Sequence, residues 1–157
     1  MSGRDAVRWR DRGGRRLFVV DIENAVGAGV IDEGSCLGVR ERLDRTYKPG
    51  LYDMTVIGVS HKCNIFPAHA WVGARIVFKE GRDGADLALE SVLSGENVEG
   101  RFGEVVIFSG DGLFAGQAAR LKGLGVKVTV DARARQLSRT LAFCCSAVRL
   151  VPDSLAA

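Results

Sequence analysis

The sequence predicts an α/β protein built on a central parallel β-sheet. Short apolar segments rich in β-branched residues alternate along the chain with segments of helical periodicity, and glycines separate most of them. No repeat, low-complexity tract or linker interrupts residues 17–151. This alternation is typical of β-α-β units with right-handed crossovers, and it predicts one doubly wound domain.

The elements follow in a regular order. The predicted strands are apolar runs that stop at polar residues or glycine, and they cover 17–21, 54–59, 75–78, 105–109, 126–130 and 147–150. The predicted helices cover 36–45, 65–72, 86–93, 113–124 and 138–144. We expect residues 1–16 to be a basic flexible arm, residues 17–151 the domain, and residues 152–157 a short tail.

Composition narrows the class of protein. The chain has 157 residues, 46% of them hydrophobic and 26% charged, as in ordinary globular proteins. No apolar run approaches the roughly 18 residues that a membrane span needs, so we expect a cytoplasmic protein without a membrane partner. The four cysteines include no C-x-x-C pair, which argues against a zinc site and favours reduced thiols.

The positive charge is concentrated in the arm. Residues 1–16 hold six Arg against two Asp, a balance of +4, whereas the whole chain carries +3. The arm contains Trp9, Arg15 and Arg16, which predicts contact with phosphates and stacking on a base of a nucleic acid. The alternative interpretation is a solvated leader with no binding role.

Polar residues collect after three of the predicted strands. They are Asp21, Glu23 and Asn24 after the first strand, Asp86 and Glu90 in the helix after the third, and Ser109 and Asp111 after the fourth. Each aspartate alone is compatible with capping a helix. Three carboxylates at one sheet edge repel one another unless a cation lies between them. Hard oxygen ligands favour Mg²⁺ or Mn²⁺ over zinc.

Three motifs, "VVDIENAVG", "GADLALESVL" and "IFSGDGLFAGQAARLKGLGVKVTV", together resemble the NYN branch of the PIN-like nuclease superfamily, especially its short actinobacterial-type members. The resemblance covers about 17–151. It implies a PIN-like three-layer α/β/α sandwich with a central parallel sheet in the order 3-2-1-4-5. It also implies a metal-dependent endoribonuclease with catalytic positions at Asp21, Asn24, Asp86 and Asp111, the three aspartates being the metal ligands.

The chain departs from the family pattern at one position. Many family members carry a further acid two residues after the aspartate of the fourth strand, where this chain has Leu113. Glu23, Glu90 and Asp131 are the candidate replacements. Glu23 is expected on the same side as Asp21 if the chain stays extended after the first strand.

The leading hypothesis is metal-assisted hydrolysis of single-stranded RNA by Mg²⁺ or Mn²⁺. Ser109 is a candidate to receive a phosphate, and His61, at the end of the second strand, is a candidate substrate contact or general acid. The nucleic-acid-binding candidates are Arg133, Arg135, Ser138 and Arg139, together with Arg15 and Arg16. Ser138 is also expected to cap its helix.

Two other functions stay open. One is a non-catalytic or weakly active module that binds RNA or another partner on the same fold, as the leucine at position 113 allows. The other is a phosphatase-like or nucleotide-binding domain, which the absence of G-x-x-x-x-G-K-[ST] and G-x-G-x-x-G motifs weakens. A homodimer is an open alternative to a monomer.

Overall fold

The computed structural model describes residues 14–152, which form a six-stranded sheet in the order β3-β2-β1-β4-β5-β6. All five strand pairs are parallel. The strands are β1 (Arg16–Asp21), β2 (Met54–Val59), β3 (Arg75–Phe78), β4 (Glu104–Phe108), β5 (Lys127–Arg133) and β6 (Ala147–Val151). The predicted α/β class and the order 3-2-1-4-5 are confirmed, and β6 extends the sheet by one strand.

Helices cover both faces of this sheet. They are α1 (Ile22–Val26), α2 (Glu33–Tyr47), α3 (Ile65–Ala68), α4 (Gly84–Gly95), α5 (Val98–Arg101), α6 (Ala115–Gly123) and α7 (Arg139–Cys144). One core contains buried residues of α1, α2 and α3, and the other contains buried residues of α4 through α7 or the segments next to them. The result is a three-layer α/β/α sandwich. No helix within residues 14–152 is long and apolar enough to cross a membrane.

Strand alternation decides which side chains reach which layer. In β1, Leu17 and Val19 belong to the core beneath α4, whereas Phe18 and Val20 belong to the core beneath α2. We name these two sides of the sheet the α4 face and the α2 face. Because successive strand residues point to opposite faces, Asp21 at the end of β1 belongs to the α4 face.

Two glycines let α4 approach the sheet closely. A Cβ atom at Gly58 in β2 would lie 2.6 Å from Leu89 Cγ and 2.9 Å from the Ala85 carbonyl oxygen. A Cβ atom at Gly84, the first residue of α4, would lie 1.7 Å from the Lys79 carbonyl oxygen. The first turn of α4 therefore lies directly against the carboxyl ends of the strands.

Several predicted boundaries are wrong by a turn or less. The helix predicted at 65–72 ends at Ala68, after which the chain continues in tight turns as Ala70 N donates to the carbonyl of Pro67. The helix predicted at 113–124 begins as a 3-10 turn, Gly112–Phe114, and only then becomes α6. Among the strands, β5 runs three residues further than predicted, to Arg133, and β1 begins at Arg16, inside the predicted arm. Residues 1–13 and 153–157 lie outside the described part of the chain.

Candidate metal centre

Asp21 ends the central strand and begins the next helix. It is 6% exposed, and its Oδ1 accepts a hydrogen bond from Asn24 N at 3.3 Å, which caps α1. The hydroxyl of Ser109 donates to its Oδ2 at 3.5 Å. The capping interpretation of Asp21 is therefore correct, and the same carboxylate also contacts the neighbouring strand's end.

Asp111 occupies the equivalent position after β4. It is the N-cap of the 3-10 turn, and its Oδ1 accepts from Leu113 N at 2.9 Å. The backbone N–H of Asp111 donates to Ser109 Oγ at 3.2 Å. Ser109, which is buried, thus bonds to both Asp21 and Asp111 and fixes the two junctions against each other.

Asp86 differs from these two aspartates because it makes no capping bond. It lies in the first turn of α4 and is 5% exposed. Its Oδ1 is buried and has no hydrogen-bond partner. A buried carboxylate oxygen left without a partner is costly, and it requires a proton or a cation for compensation. Helix capping does not explain Asp86.

Three carboxylates converge at this point. One oxygen each from Asp83, Asp86 and Asp111 lies within 4.8 Å of the other two. Asp83 was absent from the candidates chosen from sequence, although it stands three residues before Asp86, a spacing that places both on one side of a helical turn. It occupies the N-cap position of α4 but makes no capping hydrogen bond.

The electrostatics tie Asp21 to this group. Burial raises the pKa of Asp86, and interaction with Asp21 and Asp111 raises it further. Burial is also the main cause that raises the pKa of Asp21, with the charges of Glu23 and Asp111 adding to it. Of the three predicted ligands, Asp86 and Asp111 belong to the converging group, whereas Asp21 interacts with Asp86 but is not among the three carboxylates that converge. Oxygen-only donors with one unpartnered buried oxygen fit a hard divalent ion such as Mg²⁺ or Mn²⁺.

Glu23 would lie on the same side as Asp21 only if the chain stayed extended after β1, and this condition is not met. The chain turns into α1 directly after Asp21, so Glu23 lies in a helix. Its Oε1 accepts hydrogen bonds from Ser60 N at 2.6 Å, Ser60 Oγ at 2.7 Å and His61 N at 3.1 Å. Glu23 therefore joins the end of β1 to the end of β2, and this leaves the exposed side chain of His61 beside it.

The expectation that Asp131 approaches the other acids is wrong. Val128, Val130 and Ala132 of β5 belong to the α4 face, so Asp131 points to the α2 face. There its fully buried carboxylate pairs with Arg42 and Arg149 and accepts from the Tyr47 hydroxyl at 2.9 Å. Asp131 is the centre of an ion-pair network on the far side of the sheet.

Two other candidates lie near the site without joining the group. Glu90, one turn beyond Asp86 in α4, is half-buried and is not among the three converging carboxylates. Asn24 is in α1, and its Oδ1 accepts from Gly110 N at 3.4 Å. Asn24 thus connects α1 to the turn that carries Asp111.

The predicted nucleic-acid contacts fall into two groups. At the carboxyl edge, Arg135 and Arg139 are exposed, and the Ser138 hydroxyl caps α7 by accepting from Leu141 N at 3.4 Å. Arg133, predicted to contact nucleic acid, is 7% exposed, and it donates to the last carbonyls of α1. It rests against Gly27, whose positive φ of 84° and lack of a side chain leave room for the guanidinium.

Arg15 and Arg16 lie at the opposite edge of the sheet. Arg16 starts β1 and pairs with Asp53 at 2.9 Å. Arg15 donates to the carbonyl of Tyr52 at 3.1 Å. Five strand steps of about 3.3 Å separate Arg16 from Asp21, so these two arginines stand roughly 17 Å from the acids.

Comparisons with known proteins show a similarity of fold and nothing further. Neither a protein-family model nor a curated protein matches the chain. Among solved structures, the chain is similar to a protein of unknown function from Vibrio parahaemolyticus, with 17% sequence identity and a TM-score of 0.58. The match covers 89% of this chain and 94% of that chain. The two share an α/β fold over nearly their whole lengths.

Proposed function

We propose that this protein is a metal-dependent endoribonuclease that hydrolyses phosphodiester bonds in single-stranded RNA, as its resemblance to the NYN family implies. The observation that carries the proposal is the buried Asp86 oxygen without a hydrogen-bond partner, in a residue whose carboxylate converges with those of Asp83 and Asp111. Carboxylate oxygens are the ligands that a hard divalent cation prefers, so such an ion fits this group.

The acidic and polar residues of the site have different roles in this proposal. Asp86 and Asp111, with Asp21 or Asp83, would hold Mg²⁺ or Mn²⁺. When bound there, such an ion would supply Lewis-acid activation of water and charge neutralisation at the phosphate. Ser109 keeps Asp21 and Asp111 in place through its two hydrogen bonds. Asn24 holds the Gly110 turn by accepting its N–H.

A cytoplasmic location belongs to the same proposal. All four cysteines, which lie within the described residues, are free. Free thiols, one of them the exposed Cys63, are typical of a reducing compartment.

The second candidate function is a module that binds RNA without cleaving it. It is favoured by the capping bonds of Asp21 and Asp111, because these bonds give both acids a structural role that needs no ion. The exposed Leu113, in place of a further acid, points the same way.

Cleavage of labelled single-stranded RNA separates the two functions. Wild-type protein is incubated with Mn²⁺, with Mg²⁺ and with EDTA, beside Asp86→Asn and the control Asp44→Asn, which removes an exposed carboxylate of α2. We expect wild type and the control to cleave only with the metals, and Asp86→Asn to lose at least about 100-fold in rate. Metal-independent cleavage, or equal rates for all three proteins, contradicts the enzyme proposal.

A further inference from the structure

A cleft with a cationic lining opens on the α2 face, at the same edge of the sheet as the acids. It lies between α2 and the carboxyl end of β5, and its cavity has a volume of about 180 Å³. Its lining includes Asn24, Ser35, Gly38, Arg42, Arg45 and Arg133. None of the converging acids lines it, so the cleft is a separate feature of the carboxyl edge.

The charges around the cleft leave an excess of positive charge. Asp131 also lines it, but its carboxylate is fully buried and is shared by Arg42 and Arg149. Arg42 is held in place by this pair and by the Phe108 ring, 5.1 Å from its guanidinium carbon. Arg45 is exposed and pairs only weakly, at 3.4 Å, with the exposed Glu41. Arg42 and Arg149 share the single negative charge of Asp131, and Arg45 adds its own positive charge beside them, so the lining favours an anionic ligand.

Two glycines leave part of the α2 wall of the cleft open. Gly34 and Gly38 are one helical turn apart, and both line the cleft. A Cβ atom at Gly38 would meet nothing within 4 Å, so the space beside it is empty of protein.

Asn24 connects the cleft to the acids. Its side chain lines the cleft, its backbone N–H bonds to Asp21, and its Oδ1 accepts from the residue before Asp111. A nucleic acid strand that leaves the cleft across Asn24 therefore reaches the carboxylates next.

We propose that this cleft is a subsite that binds a phosphate-bearing nucleotide of the same RNA strand that the acids cleave; this inference rests on the proposed function. Arg42 and Arg45 contact the phosphate. Arg133, already bonded to the carbonyls of α1, contributes its positive charge to the cleft wall. The ligand is a single-stranded RNA, whose flexible backbone can follow the edge from one face of the sheet to the other.

The first test fills the cleft. Binding of labelled oligouridylate, about ten nucleotides long as suits a single-strand binding site, is measured in EDTA so that no cleavage occurs. Gly38→Glu places a carboxylate in the open space, and Gly123→Glu makes the same change at another helix glycine with nothing within 4 Å. We expect at least tenfold weaker binding for Gly38→Glu and unchanged binding for Gly123→Glu. Equal affinities for both variants overturn the proposal.

The second test removes one cation without filling space. Arg45→Ala is compared with Arg75→Ala, which deletes another exposed arginine that pairs with one glutamate. Losing one phosphate contact reduces the slope of log affinity against log salt by about 0.7 for a single strand. We expect this change for Arg45→Ala alone. Identical slopes overturn the proposal even if Gly38→Glu proves unfolded by circular dichroism.

A third measurement identifies the source of the phosphate. Uridine 5′-monophosphate competes with the oligouridylate, and we expect it to bind at least tenfold more weakly, because it cannot reach beyond the cleft. Equal affinity indicates a free-nucleotide site and overturns the proposal of a strand subsite. These binding results do not depend on cleavage. If the protein binds RNA through the cleft but never cleaves it, only the proposed function is contradicted. If the protein cleaves normally with the cleft filled, only the proposed subsite is contradicted.

Discussion

Asp21 lies directly beside Gly58 in the parallel sheet, as its register partner on β2. Both residues belong to the α4 face, and the missing side chain at Gly58 lets Ala85 and Leu89 of α4 come close. Asp86 follows Ala85 immediately, so this close approach brings its carboxylate to the end of the central strand. The geometry of the acidic site therefore depends on a glycine that carries no charge.

Gly58→Ala is expected to weaken the site by displacing α4. The added methyl group would lie 2.6 Å from Leu89 Cγ and 2.9 Å from a backbone oxygen. Such overpacking costs about 1–3 kcal/mol of stability, and urea unfolding measures it. The affinity of the protein for the metal should fall together with its stability. The control Gly38→Ala has open space and a helical position, so it should leave stability unchanged or raise it by up to about 1 kcal/mol.

Asp86→Asn is expected to stabilise the metal-free protein at neutral and alkaline pH. The raised pKa of Asp86 means that the folded protein binds this proton more tightly than the unfolded chain does. The stability linked to this proton is full below about pH 4 and is lost as the pH rises towards the raised pKa. Between pH 5 and pH 9, in EDTA, wild type should therefore lose more thermal stability than Asp86→Asn. If the thermal stability of the two proteins changed equally with pH, the titration of Asp86 would not be the cause.

Divalent ions are expected to restore the stability that the metal-free wild-type protein loses as the pH rises. At a concentration of 100 times the dissociation constant, a bound ion adds about 2.7 kcal/mol, which for a chain of this size is roughly 5–10 °C in Tm. Protons compete for the same carboxylates, so the increase should be larger at pH 8 than at pH 5. Differential scanning fluorimetry with Mg²⁺ or Mn²⁺ measures it. An increase of the same size in Asp86→Asn would place the ion elsewhere.

Asp131→Ala is expected to affect stability but not the metal site. The change leaves Arg42 and Arg149 without their shared carboxylate and removes the acceptor of the Tyr47 hydroxyl. Loss of charged hydrogen bonds of this kind costs about 2–3 kcal/mol. The increase in Tm caused by metal should match that of wild type, since Asp131 points to the other face. A lost metal response, with the fold intact, would contradict this assignment.

The sequence predicts the fold class and the presence of Asp86 and Asp111 at one edge of the sheet. Apolar strands alternating with helices determine a parallel sheet, and a parallel sheet brings the ends of its strands to one edge. Asp21, Asp86 and Asp111 each end such a strand or begin the next helix, so topology alone places them at one edge, while their exact distances depend on packing.

The differences between prediction and structure concern the face of a strand to which a residue points and a helix too short to be seen in the sequence. Asp131 follows the end of the predicted strand, whereas β5 continues to Arg133 and the alternation of its valines turns Asp131 to the α2 face. The condition set for Glu23, an extended chain, is not met, because a helix of five residues leaves no periodic signal in the sequence. The close contact at Gly58, which positions Asp86, depends on tertiary packing that no local pattern records.

Binding of Mn²⁺ to the wild-type protein and to Asp86→Asn, measured by electron paramagnetic resonance, tests the central claim most directly, because free and bound Mn²⁺ are counted without any need for a substrate. Asp44→Asn is the matched control, since it removes a carboxylate that is half exposed on α2. We predict saturable binding at pH 8 to wild type and to the control, and at least a tenfold loss of affinity in Asp86→Asn. Equal binding to all three proteins, or no binding to wild type, would contradict a metal site at Asp86.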